Sequence, residues 1–205
     1  ANVTYDTLYS FKNMEHHRHY MIFKPFGMLS QMHSRDPKEI NKRFLGELFR
    51  FPKEIMPVGR LDEKSEGLLL LTTDGKLSDR INRSGIEKQY LVQVDGAIDS
   101  RAIERLEHGV EIGISGTRYQ TQHSQARKLD EAPDFPTAHK KLRIDRHRPS
   151  SWLSLTIREG KYRQVRKMTA AVGYPTLRLI RVRIGDIELG DLKPGEVKAL
   201  KSIDV

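Results

Sequence analysis

The chain of 205 residues contains no cysteine. That excludes a disulfide framework, a thiolate metal site and a cysteine nucleophile, and it fits a reducing compartment. Long apolar runs are missing too. Nothing approaches the roughly 18 apolar residues of a membrane span, and Ala1 to Ser10 lacks the basic-then-apolar order of a secretory signal. The expectation is a soluble, cytoplasmic protein with no membrane partner. Internal repeats and low-complexity linkers are also absent, so the chain is not split into independent domains. The apolar share is only 37%, yet a chain of this length still buries a sizeable core as one domain or two packed halves. His16, His17 and His19 have no cysteine beside them. They lie in or at the edge of a polar tail over residues 1–18 and read as polar rather than as metal ligands, and residues 19–205 read as the folded part.

Negative charge is scarce in one place. Residues 137–183 hold 13 Lys/Arg against 2 Asp/Glu, while the rest of the chain holds 23 against 25. The whole net charge of +9 therefore comes from one segment. A local basic excess is the electrostatic footprint of a polyanion site, most often nucleic acid; a solvated basic surface without a partner is the plainer alternative.

Strands are expected over His19 to Pro25, Leu68 to Thr72, Glu87 to Val94, Ser151 to Ile157, Thr176 to Ile184 and Glu196 to Leu200, from alternation or short apolar runs bounded by turn residues. Weaker strand patterns run from Val110 to Leu129. Helices are expected over Lys38 to Phe51, from Ile40, Phe44, Leu45, Leu48 and Phe49 at helical spacing, over Lys76 to Asn82 behind Asp74, from Asp99 to His108, and over Tyr162 to Val172. Asp130 to Pro149 carries three of the nine prolines and little apolar content, so it reads as a long surface loop. Strands and helices mix without a βαβα rhythm. An α+β fold follows, with a largely antiparallel or mixed sheet and helices on its face.

Two stretches could carry chemistry. In Gly59-Arg60-Leu61-Asp62-Glu63-Lys64-Ser65-Glu66-Gly67, Arg60 and Asp62 project to one side of an extended segment and Leu61 to the other. A carboxylate near a guanidinium stays ionised even when partly buried, and can serve as nucleophile or general base. A structural Arg–Asp pair on a turn fits the same residues. In Glu159-Gly160-Lys161-Tyr162-Arg163-Gln164-Val165-Arg166-Lys167-Met168, a strand ends and a helix starts with Arg163, Arg166 and Lys167 at i, i+3 and i+4. Cations at a helix N-terminus are locally unfavourable, so an anion is expected there, a phosphate or a carboxylate. An ordinary solvated face is again the alternative. Lys88 and Tyr90 share a strand face, and Arg178, Arg181 and Arg183 set further cations on another strand.

Taken in order, Phe23-Lys24-Pro25, Gly59-Arg60-Leu61-Asp62 with Ser65 to Thr72, Lys88-Gln89-Tyr90, Glu159-Gly160 with Arg163 to Met168, and Leu177 to Arg181 resemble the RsuA/RluB/RluE/RluF family of bacterial ribosomal-RNA pseudouridine synthases. The resemblance spans about residues 19–190. With 18 residues before the first motif, the expectation is a chain without the S4-type RNA-binding domain common in that family, most like the branch that modifies a single uridine of 23S rRNA.

The resemblance implies the pseudouridine synthase fold, a curved sheet with a cleft between two halves, and makes residues 19–205 the catalytic domain. It implies a flipped-out uridine in large-subunit ribosomal RNA as substrate, an isomerase acting as a monomer, and no cofactor or metal. By motif position it implies Asp62 as nucleophile, Arg166 as its ion-pair partner, Tyr90 stacked on the uracil and Ile157 packed beneath it. Lys88, Arg60, Arg163 and Arg181 become substrate or RNA contacts. A non-catalytic RNA-binding or ribosome-assembly protein on the same fold is the alternative, which gives no reason to keep Asp62 in a cationic cleft. A nuclease would need paired carboxylates or a metal set, and Glu63 and Glu66 alone do not supply one.

Overall fold

A computed structural model of the chain describes residues 16–205; the first fifteen residues of the expected tail lie outside the described residues. Nine strands form one sheet in the order β13-β1-β5-β11-β6-β10-β9, with β4 on β5 and β12 on β11. These are β1 (His19–Lys24), β4 (Met56–Val58), β5 (Glu66–Thr72), β6 (Lys88–Val94), β9 (Gln125–Lys128), β10 (Ser151–Ile157), β11 (Thr176–Ile184), β12 (Ile187–Glu188) and β13 (Val197–Leu200). Two small two-stranded sheets join β2 (Met28–Leu29) to β3 (Arg43–Phe44) and β7 (Glu111–Ile114) to β8 (Thr117–Gln120). Among the described residues, the helices that complete the α+β fold are α1 (Gly75–Arg83), α2 (Ser100–His108) and α3 (Gln164–Ala171). None is long and apolar enough to cross a membrane.

The centre of the sheet explains where the site lies. Within the large sheet β5 and β11 form the one parallel pair, limited to Ile180↔Glu66 and Arg181↔Gly67. The strands on either side pair antiparallel. The sheet is thus two antiparallel halves joined by a short parallel seam. Gly67 permits the seam: its φ is +105°, and any Cβ there would collide with the Arg181 backbone carbonyl.

Leu68, Leu69, Leu70 and Leu71 are fully buried, because the sheet has a core on each face. Leu69 and Leu71 pack in one cluster with Tyr20, Val92 and Leu155, while Leu68 and Leu70 pack in the other with Phe23, Trp152 and Ile180. Each such side chain contributes about 1.5–3 kcal/mol. The caps expected from sequence are present. Asp74 accepts from the Lys76 and Leu77 amides at the start of α1, and Asp99 accepts from the Ala102 amide at the start of α2. Residues 131–150 carry no strand or helix, in line with the expected loop. His17 and His19 bond the hydroxyls of Thr73 and Thr72 at 3.0 and 2.9 Å.

The helix expected over Lys38 to Phe51 does not form. Two short 3-10 turns, Pro37–Glu39 and Leu45–Glu47, flank β3 instead. The Leu45 and Gly46 amides donate to the Gln31 and Met32 carbonyls, so tertiary partners take the donors a helix would use. The apolar residues also fail to share one buried face, since Leu45 is fully buried and Ile40 is 79% exposed.

Candidate active site

The loop from Gly59 to Gly67 leads into β5 at the seam. Leu61 points into the core, and Ser30 holds its backbone from both sides: the Ser30 hydroxyl donates to the Leu61 carbonyl at 2.6 Å and accepts from its amide at 3.0 Å. Asp62 thereby projects the other way, as alternation requires. The Ser65 amide closes a turn onto the Asp62 carbonyl. Behind the loop, the fully buried Lys24 ammonium donates to the Pro25, Met28 and Glu63 carbonyls at 2.8, 2.8 and 3.3 Å, and the Gly27 amide also reaches Glu63. Burial lowers the Lys24 pKa to about 7, against the pull of Glu66, Glu63 and Asp62. Lys24 thus ties the turn after β1 to the loop that presents Asp62.

Arg163, not Arg166, holds the Asp62 carboxylate. Arg163 Nη1 donates to Asp62 Oδ2 at 2.7 Å. The reason lies in the backbone. Helix α3 begins only at Gln164, and Arg163 precedes it in the left-handed region at φ 52°, ψ 36°, so it does not share the helical face of Arg166 and Lys167. The expectation of an Arg166–Asp62 pair is corrected accordingly. Arg166 Nη2 instead donates to the Lys64 carbonyl at 3.3 Å and to Ser65 Oγ at 3.2 Å, bracing the loop just past Asp62. Burial, and then the neighbouring Arg163 charge, lower the Arg166 pKa. A left-handed non-glycine residue costs about 1–2 kcal/mol, which the ion pair offsets.

All eight residues singled out from the sequence line one cleft of about 690 Å³: Arg60, Asp62, Lys88, Tyr90, Ile157, Arg163, Arg166 and Arg181. Strand register brings the apolar part together. Ile157 pairs with Lys88 between β10 and β6, and Arg181 pairs with Tyr90 between β11 and β6. Tyr90 and Ile157 are buried and give the cleft an apolar wall. Arg60 is exposed at the mouth. Burial, reinforced by the Arg181 charge, lowers the Lys88 pKa.

Arg181 lies at the floor of the cleft. It is 4% exposed, and its Nε donates to the Leu68 carbonyl at 2.8 Å. It ties the two halves of the sheet together at the cleft floor. Its strand neighbours are engaged by partners within the protein. Arg178 makes a two-pronged bond to Glu66 at 2.9 and 2.9 Å with both side chains buried, and Arg183 bonds Glu87, Gln89 and the Gly185 carbonyl. Part of the basic excess in residues 137–183 is therefore structural.

Sequence reasoning passed over Glu159. Its buried carboxylate accepts from the Tyr119 hydroxyl, from the Gln122 amide, and from Gln164 Nε2 at 2.6 Å. It anchors the β7–β8 hairpin and the start of α3 to the end of β10, and Tyr119 and Gln122 thereby join the cleft wall. The bond to Glu159 raises the Tyr119 pKa. A glutamate at the end of an apolar strand, before a glycine, was the available signal, since a buried carboxylate needs partners.

The cleft can hold a planar ring against Tyr90 and Ile157 and present it to an aligned carboxylate amid cations. The comparisons with known proteins agree with that chemistry. The family described as RNA pseudouridylate synthase matches residues 18–171. The chain is 44% identical over 176 residues to "Ribosomal large subunit pseudouridine synthase E" of Xanthomonas axonopodis pv. citri, covering 85% of this chain and 89% of that one. It is 39% identical to the protein of the same name from Vibrio parahaemolyticus, covering 87% and 71%. Among solved structures, "Crystal structure of pseudouridylate synthase" superposes with a TM-score of 0.72 at 28% identity, covering 91% of this chain and 71% of that one.

Proposed function

The chain belongs to the RNA pseudouridylate synthase family, and on that premise we propose that it isomerises one uridine of 23S ribosomal RNA to pseudouridine with Asp62 as the nucleophile. The relatives named as large-subunit enzymes support the choice of RNA. The observation that carries the role of Asp62 is its ion pair with Arg163 inside the cleft. A nearby guanidinium favours the ionised, aligned carboxylate that covalent attack requires.

The target uridine leaves its stack and enters the cleft. Asp62 attacks either the ribose C1′ or the base, and the bond from C1′ to N1 breaks. The freed uracil turns over in the pocket and C5 bonds to C1′; the bond to Asp62 breaks, either at C1′ in this displacement or by expulsion of the carboxylate from the base, and the C5 proton leaves to water. Tyr90 stacks on the ring through these steps, and Ile157 packs beneath it. Lys88 supplies positive charge toward the ring as electron density builds on it. Arg166 keeps the Asp62 loop in place, and Arg60 contacts RNA at the mouth. Residues 19–205 act as one catalytic unit of two packed halves, as a monomer in the cytoplasm.

A purely RNA-binding role gains nothing from Asp62, which repels phosphates. The test is conversion of protein-free 23S rRNA lacking the modification by the purified chain. One new pseudouridine at a single position is expected. No conversion under conditions where the RNA binds would overturn the reading.

A further inference from the structure

Tyr162 lies at the mouth of the same cleft and has 69% of its surface exposed, more than any other large aromatic side chain among the described residues. Its chain neighbours are both occupied. Lys161 lies over the Tyr119 ring at 4.9 Å, and Arg163 holds Asp62. The left-handed backbone at Arg163 lets these successive side chains diverge, so Tyr162 stands on the rim while Arg163 reaches inward.

The ring is braced rather than loose. The Lys167 ammonium sits 5.0 Å from its centroid and is itself fixed by donating to the Gly113 carbonyl at 2.9 Å. A cation over one face of a ring is favourable, and it leaves the opposite face for a second planar group. A uridine drawn into the cleft deprives its neighbour of a stacking partner. An aromatic ring on the rim, set among cations that meet phosphates, can replace that partner.

We propose that Tyr162, backed by Lys167, is the stacking platform for the nucleobase adjacent to the flipped uridine. This rests on the reading of the chain as an RNA uridine isomerase. It assigns Tyr162 a positioning role in capturing RNA, distinct from the residues that touch the target ring.

The test is a substitution series at Tyr162 in the full chain. Turnover is followed as release of label from C5-tritiated uridine in 23S rRNA prepared without the modification. Stacking of a base on an aromatic side chain is worth about 1–3 kcal/mol, so Tyr162→Ala and Tyr162→Leu are expected to raise KM about 5- to 150-fold. Single-turnover rates at saturating RNA should fall much less than KM rises. Tyr162→Phe and Tyr162→Trp keep a stacking face and should hold KM within a few-fold of wild type. Thermal midpoints for each variant identify any that fails to fold. An unchanged KM in Tyr162→Ala overturns the proposal, as does Tyr162→Leu matching wild type or Tyr162→Phe matching Tyr162→Ala. Wild-type protein that releases no label would instead overturn the isomerase reading itself.

Discussion

Arg163 and Asp62 lie 101 residues apart in sequence and meet at 2.7 Å in the cleft. The pair forms because α3 starts at Gln164, two residues later than expected, leaving Arg163 in the left-handed region and off the helical face. Two arginines thus divide one task. Arg163 holds the carboxylate, and Arg166 holds the loop that carries it.

The division is separable by mutation. A hydrogen bond to a charged group contributes about 1.5–3 kcal/mol, so Arg163→Ala should lower kcat/KM about 10- to 150-fold. Arg163→Lys should recover part of the loss. Arg166→Ala should also lower kcat, and it should in addition increase amide exchange across residues 62–65, which Arg163→Ala leaves near wild type. Equal exchange in the two variants would contradict the separate roles.

The buried Glu66–Arg178 pair spans the seam between the sheet halves. Glu66→Gln leaves a guanidinium buried without its counter-charge and should destabilise the fold by about 3–5 kcal/mol in urea unfolding. Combining it with Arg178→Met should restore part of that stability. No recovery in the double variant would show that the pair serves more than mutual compensation.

Lys24 makes stability depend on pH. Its folded pKa of about 7 lies below its ordinary value of 10.5. Between those values the unfolded chain binds more protons, so this residue makes stability rise with pH. Wild type minus Lys24→Met should therefore grow as pH goes from 7 to 9, by at most about 1.4 kcal/mol per pH unit. A flat difference would mean that the three carbonyl acceptors keep the ammonium charged throughout.

Much of this was legible in the sequence for local reasons. Alternation and apolar runs located β1, β5, β6, β10 and β11, and Asp74 and Asp99 marked the starts of α1 and α2. The motifs carrying Asp62, Tyr90 and Arg166 pointed to one cleft, and all three line it. What was hidden depends on contacts far apart in the chain. The stretch from Lys38 to Phe51 has helical spacing, but Gln31 and Met32 take its amide donors. Arg178 reads as a cation for a polyanion until the buried Glu66 carboxylate appears beside it. The choice between Arg163 and Arg166 hinged on one backbone angle that no propensity scale supplies.

The central claim is that Asp62 acts covalently on a uridine of 23S rRNA. It is tested most directly by mapping pseudouridine in 23S rRNA from cells lacking this protein, complemented with wild type or with Asp62→Asn at equal expression. One pseudouridine should be missing without the protein, restored by wild type, and still missing with Asp62→Asn, although that variant folds and binds the RNA. Restoration of the same site by Asp62→Asn would contradict the account.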